Sequence, residues 1–289
     1  MHEVQAKGIL SAKNGMNLYR GCTHGCIYCD ARSDCYQMNH DFEDIQVKIN
    51  ALELLENTLK KKRKKVMIGT GAMSDPYMHI EDKYLFTRKS LNLIEKYGFG
   101  ATILTKSDKI LKDLDIFKKI NEKSKSVVQM TLTTYDENLC KILEPHVSTT
   151  KERFNTLEIF RDNNIPTVVW LSPLLPFIND SKENLIGILE YCVKAKVWGI
   201  ICFDMGLTLR DGNREYFYEQ LDKYFPSLKE KYIKYYGNNY QIKSKNSKEL
   251  WDIFIKTCKK NNIEYNLDKI WKYLYLFPEK NKKEQLSLF

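Results

Sequence analysis

Nowhere does this 289-residue chain approach the roughly 18 consecutive apolar residues that a membrane-crossing helix needs. Met1–Lys13 has no apolar stretch of the kind that opens a secretory leader. Those two absences predict a cytoplasmic protein with no membrane partner. Disorder is excluded by the opposite argument: 43% of the residues are hydrophobic and 12% aromatic, enough to bury a substantial core. An acidic excess is also missing. Lys and Arg number 46 against 37 Asp and Glu, and the formal charge of +9 inclines the chain toward polyanionic partners. Part of that charge is the run Lys60–Lys65, which reads either as the solvated end of a helix or as part of a nucleic-acid-binding face. In a reducing compartment the chain should also lack disulfides. Cys140, Cys192, Cys202 and Cys258 are scattered, and are expected as thiols.

What the chain does have is a concentration of the other four cysteines in RGCTHGCIYCDARSDCY, residues 20–36. The first three, Cys22, Cys26 and Cys29, are spaced C-x3-C-x2-C. Structural zinc generally takes four ligands in two separated pairs, and here the only further donors nearby are Cys35 and His24. Closely packed cysteines suit an iron–sulfur cluster. The spacing therefore favours a cluster over zinc, and zinc over uncoordinated thiols. If protein holds three irons of a 4Fe-4S cluster, the fourth is free to bind something else.

Beyond the cysteines, helical periodicity alternates with short apolar runs. Phe42–Leu59, Leu85–Tyr97, Ile110–Ile120, residues 151–164 and Asn184–Ala195 read as helices. Val66–Ile68, Ala101–Leu104, Val127–Leu132 and the runs TVVWL and VWGIICF read as strands, with one more near Asn17–Tyr19. Wholly apolar strands alternating with helices indicate parallel β/α units covered on both faces. About six units are present, fewer than the eight of a closed barrel. The expected fold is α/β: a partial (β/α)6 TIM-like barrel with a C-terminal helical extension. Its divisions would be a core at residues 1–210, a helical Tyr- and Lys-rich extension at 211–280 and an exposed tail at 281–289. Polar or small residues end the strands, among them Gly69, Thr70, Thr105, Lys106, Thr131, Ser172, Pro173, Asp204 and Gly206, and in such folds that rim carries the chemistry. In the extension, aromatics interleaved with lysines suit base stacking and phosphate neutralisation. They equally suit helices that cover the open side of the barrel, with Trp251, Phe254 and Ile255 inward.

With Tyr28 just before its third cysteine, the C-x3-C-x2-C run resembles the signature of the radical S-adenosylmethionine (SAM) enzymes. YRGCTHGCIYCDAR, GTGAMSDPY, ILTKS, the segment from Thr131 to Ile165 and SPLLPFIND resemble the subgroup related to spore photoproduct lyase, over roughly residues 15–210. The resemblance implies a 4Fe-4S cluster on Cys22, Cys26 and Cys29, and a SAM that is reductively cleaved to a 5'-deoxyadenosyl radical. It also implies an electron donor such as flavodoxin or ferredoxin. Tyr28 would lie near the adenine; Gly69, Thr70, Gly71 and Ser74 would approach the cofactor at a strand end; Lys106 would meet its carboxylate, and Thr131 would contribute from the next strand. Asp75, in a rigid loop with Pro76 and Tyr77, would orient substrate or hold the loop shut.

Two departures bear on the reaction. Ala72 stands where spore photoproduct lyase has its hydrogen-donating cysteine, and Asp30 where it has a relay tyrosine. Reversal of a thymine lesion by that route would need a thiol from Cys35 or Cys140, and Cys140 reads as a buried small hydrophobe. Tyr28, Asp30 and Asp75 remain the candidate catalytic side chains. Glu144 and Arg153 read as a salt bridge or as anion contacts, and Asp180 as a helix cap. The reading is a radical SAM enzyme acting on DNA or another nucleic acid. The alternatives are the same chemistry on a peptide or small molecule, and a zinc-containing nucleic-acid-binding protein without redox chemistry. Finally, Gln285, Leu286, Ser287, Leu288 and Phe289 resemble the peptide by which bacterial repair proteins hold the DNA sliding clamp; folding back onto the domain is the other reading.

Overall fold

The computed structural model of the chain describes residues 1–278, so the clamp-like peptide Gln285–Phe289 lies outside the described residues. In chain order the strands are β1 (His2–Val4), β2 (Tyr19–Arg20), β3 (Gln46–Lys48), β4 (Met67–Thr70), β5 (Gly100–Thr105), β6 (Ser126–Thr131), β7 (Thr167–Trp170), β8 (Gly199–Ile201), β9 (Gly206–Thr208) and β10 (Gln241–Lys243). The α-helices are α1 (Ala51–Lys61), α2 (Glu81–Tyr84), α3 (Phe86–Lys96), α4 (Leu114–Lys123), α5 (Glu137–Leu143), α6 (Thr150–Asp162), α7 (Lys182–Lys194), α8 (Asn213–Tyr224), α9 (Leu228–Tyr236), α10 (Ser247–Lys260) and α11 (Leu267–Tyr275).

β4 to β8 form one parallel sheet in sequence order, its registers set by pairs such as Met67 with Gly100, Ala101 with Ser126, Val128 with Thr167 and Val168 with Gly199. Every residue of β6 is buried, as parallel strands covered on both faces require. On one face Ile68, Ile103, Val128, Met130, Val169 and Ile200 pack beneath the connecting helices. On the other, Val127, Val168 and Ile201 form a separate core with Ile270 and Leu274 of α11. The last helix thus fills the face that a partial barrel leaves open, and each large aliphatic side chain buried there contributes about 1.5–3 kcal/mol. In α10, Phe254 is fully buried, while Trp251 and Ile255 are only partly so.

Two elements differ from expectation. The helix read over Phe42–Leu59 begins at Ala51; before it, Ile45 and Val47 are buried and alternate with half-buried Gln46 and Lys48, the period of the strand β3. The strand near Asn17–Tyr19 does not join the parallel sheet. β2 pairs antiparallel with β3, and the sixth place beside β4 is taken only by a bridge between Gly15 and Gly69. α1 ends at Lys61 within the basic run, the solvated-helix-end alternative. Asp180 is not a helix cap: Ser181 caps α7 by accepting the amide of Asn184, and Asp180 accepts the amide of Phe177 and the hydroxyl of Ser244.

Candidate active site

The cysteine loop leaves β2 at Gly21, whose φ of +87° is the left-handed region; a Cβ there would sit 2.4 Å from the carbonyl oxygen of Phe42. The loop is then pinned by backbone bonds: the Cys22 amide to the Phe42 carbonyl at 3.0 Å, the Ile27 amide to the Leu143 carbonyl at 3.0 Å and the His146 amide to the His24 carbonyl at 3.2 Å. Ile27 is buried with Leu143, Leu175 and Phe217. As a result Cys22, Cys26 and Cys29 all face one cavity of ≈ 500 Å³ at the C-terminal ends of the parallel strands.

Lys106 and Thr131 line the same cavity, from the ends of β5 and β6, and Gly71–Asp75 from the end of β4. The peptide at Gly71 has φ +107°, and a Cβ there would lie 1.8 Å from the Leu104 oxygen, so only glycine lets the chain turn this close to β5. Ser74 donates its hydroxyl to the Gly21 carbonyl at 2.6 Å, tying this turn to the cysteine loop. Asp75 is almost fully engaged: Oδ1 accepts the Tyr77 amide at 2.9 Å and the Thr105 hydroxyl at 2.7 Å, and Oδ2 accepts the Lys106 amide at 2.8 Å. His24 Nδ1 stands 3.5 Å from Asp75 Oδ2, and burial keeps the imidazole pKa below its ordinary value.

Beneath the loop lies a buried polar network. The Tyr28 hydroxyl donates to Glu144, and Glu144 pairs with Arg153, both side chains fully buried. Arg153 Nη1 also donates to the Thr131 carbonyl at 2.8 Å and Nε to the Ser148 carbonyl at 2.8 Å. Lys106 Nζ is 5.8 Å from the Tyr28 ring centroid. Burial opposes the Lys106 charge, but Cys26, Glu144 and Cys29 outweigh it and raise its pKa above the ordinary value. The thiols show the reverse effect: burial, with Asp75 and Cys29 adding, pushes Cys22 up to about 12, and burial lifts Cys26 and Cys29 as well. A bound metal cation reverses that cost, because a coordinated thiol loses its proton to the metal.

The donor set fits a cluster better than one ion. Cys35 is exposed, contacts Arg210 Nη1 at 3.2 Å and does not line the cavity, so the wall offers three thiols and no fourth. Residues 16–189 match the family model of the radical SAM superfamily. The chain is a member of that superfamily. Its cofactors are accordingly a 4Fe-4S cluster and SAM, in place of the zinc alternative.

This radical SAM enzyme is 35% identical to an uncharacterized protein of Methanocaldococcus jannaschii over 62% of the chain and 66% of that protein. It is 24% identical to the radical SAM Nα-GlyT isomerase of Pseudomonas phage M6 over 54% of the chain and 32% of the relative. Its fold matches a spore photoproduct lyase mutant with bound AdoMet and dinucleoside spore photoproduct, at a TM-score of 0.61 and 15% identity, over 86% of this chain and 73% of that one. Among the described residues no helix is long and apolar enough to cross a membrane.

Most of the residues singled out from sequence converge on the cavity: Tyr28, Asp30, Gly71, Ser74, Asp75, Lys106 and Thr131 line it with the three cysteines. Gly69 and Thr70 do not. They remain in β4, where the Gly69 amide and carbonyl are used by Asn14 and Met16. Ser74 does not close a turn with Asp75 and Pro76 but reaches across to Gly21. Asp30 accepts the Tyr36 hydroxyl at 2.9 Å and faces Arg210 Nε at 3.6 Å. Cys140 is buried behind the Glu144–Arg153 pair and is not on the cavity wall. Sequence reasoning missed Trp170, Phe203, Gln241 and Ile242, which also line it. The one signal for the first two was an aromatic at the end of an apolar strand, which reads as core.

Proposed function

We propose that this radical SAM enzyme acts on a nucleic acid, modifying or repairing a base. The observation that carries the reading is the cationic surface around the antiparallel pair β9–β10. Leu207, Thr208, Gln241 and Ile242 of that pair line the cavity. Lys243 on β10 is ion-paired with Asp204 of the cavity wall at 2.9 Å, while Lys231 and Lys245 lie over the rings of Phe177 and Tyr235 at 3.9 and 3.5 Å. With a net charge of +9, such a surface suits phosphates next to the reacting centre. The solved spore photoproduct lyase of the same fold binds a dinucleoside lesion, which supports the same class of substrate.

When bound, the cluster and SAM supply a 5'-deoxyadenosyl radical that takes a hydrogen atom from the substrate. The chain's own part is placement. Cys22, Cys26 and Cys29 would hold the cluster; Lys106, kept charged, would meet the SAM carboxylate; Gly71, Ser74 and Thr131 would shape the cofactor's side of the cavity; Tyr28, locked by Glu144, supports the loop. Asp75 acts as a positioning residue, since its oxygens hold the β4 turn to β5. Asp30 with Tyr36 and Arg210 forms the polar rim. Ala72 lines the cavity without a hydrogen to give, and neither Cys35 nor Cys140 reaches it, so the thiol relay of photoproduct reversal has no counterpart here. An electron donor of the flavodoxin or ferredoxin kind serves the cluster, and Gln285–Phe289 docks a sliding clamp.

The test is anaerobic reconstitution, reduction with SAM, and measurement of 5'-deoxyadenosine with intact DNA, damaged DNA or none. Release stimulated by DNA, with a changed base recovered, is the expected result. Release stimulated by peptides or small molecules but not by DNA would reassign the substrate. Deleting residues 281–289 should abolish clamp pull-down and leave 5'-deoxyadenosine release intact.

A further inference from the structure

Part of the cavity wall is aromatic and continues out to the surface. Trp170, at the end of β7, has its indole nitrogen fixed by Gln129 Oε1 at 2.8 Å. Its ring meets Phe203 edge-on at 5.7 Å and Trp271 at 5.7 Å; Phe203 lies nearly parallel to Trp271 at 6.4 Å, and Trp271 to Tyr275 at 6.1 Å. Phe203 is 52% exposed and Tyr275 47%. Trp170 and Trp271 pack partly against the second core, but Phe203 is poorly explained as core. Ile270 and Leu274 already seat α11 on the sheet, while Phe203 spends half its surface in water beside the reacting centre. Near Phe203 the wall is edged by polar groups able to meet heteroatoms: Ser172, Asp204, Thr208 and the exposed amide of Gln241.

We infer that Phe203, braced edge-on by Trp170 and nearly parallel by Trp271, forms a stacking site for an unpaired nucleobase, which holds the target nucleotide out of its stack while Lys231 and Lys245 take the flanking phosphates. The inference rests on the nucleic-acid reading above. Its chemistry is that of an exposed aromatic ring held in place by its neighbours, with hydrogen-bonding groups in the same cavity, which accepts any base by its π-face. An aliphatic substrate would gain apolar contact there but no stacking, and a free aromatic amino acid would leave the cationic surface unused.

The experiment uses the reconstituted holoenzyme and fluorescence anisotropy of labelled single-stranded deoxyoligonucleotides, one carrying bases and one abasic throughout, of equal length. The base-carrying strand should bind more tightly, and Phe203→Ala should weaken it roughly tenfold or more, as loss of one stacked base does, while abasic binding stays the same. Phe203→Trp should restore the difference. Equal binding of both strands by the wild type, or a Phe203→Ala variant that keeps the preference for bases, would overturn the stacking site while leaving a phosphate-binding surface standing. Failure of both strands to bind would overturn the nucleic-acid reading and this inference together.

Discussion

Gly71 carries the strictest local requirement in the molecule, because its backbone turns through positive φ directly against the Leu104 carbonyl. Gly71→Ala should cost about 1–3 kcal/mol from conformation alone, with the overlap adding to it, and should be read as a lowered denaturation midpoint together with weakened SAM binding. At the cysteines, conversion of Cys22, Cys26 or Cys29 to Ala, singly, should abolish iron–sulfur absorbance and 5'-deoxyadenosine release without unfolding the chain. Cys35→Ala should leave both in place, since that thiol faces Arg210 and not the cavity. A Cys35→Ala variant that lost its cluster would show a fourth ligand, and the vacant corner on which the chemistry depends would be gone.

Between elements, the Glu144–Arg153 pair is the joint that fastens the cysteine loop to α5, α6 and the end of β6. Removing one partner leaves the other buried and uncompensated, so Glu144→Gln should lose roughly 3–5 kcal/mol in chemical denaturation. Burial works against the Glu144 charge, but Arg153 and Lys106 prevail and hold its pKa below the ordinary carboxylate value. A depressed carboxylate contributes stability that is complete above its unfolded value, about 4.3, and is lost as the pH falls through the folded one. The wild type should therefore lose stability more steeply in acid than Glu144→Gln does. At α11, Leu274→Ala empties the core that closes the sheet's second face and should cost about 2–5 kcal/mol, measured by thermal or denaturant unfolding.

For the whole molecule, the excess of basic over acidic side chains makes any DNA affinity dependent on salt. A surface neutralising about six phosphates would lose on the order of a thousandfold in affinity between roughly 50 and 200 mM salt. A flat log–log plot of affinity against salt would place the substrate outside the nucleic acids. Closure by α11 also bears on the site. The helix that completes the sheet's second core sets Trp271 against Trp170 and Phe203, which line the cavity, so residues far apart in the chain meet behind one wall.

The cysteine spacing, the alternation of helices with apolar strands and the residues at the strand ends were legible in the chain itself, because ligand spacing and hydrophobic period are properties of short segments. They gave the three grouped cysteines, the partial barrel and Lys106 on the rim, while the family resemblance pointed to Ser74 and the neighbouring Asp75. Other features were decided only when distant segments met. β3 escaped notice because Ile45 fits both a helical and an alternating pattern, and contact with β1 and β2 settles the choice. Gly69 looked like a cofactor contact until Asn14 and Met16 took its backbone groups. The Glu144–Arg153 bridge was already a reading of the chain, but Glu144 found Tyr28, and Trp170 found Phe203 and Trp271, through contacts 116 and up to 101 positions apart. Local pattern records which way a side chain points. Which group it meets depends on chain closure over long separations, and that is fixed only in the folded core.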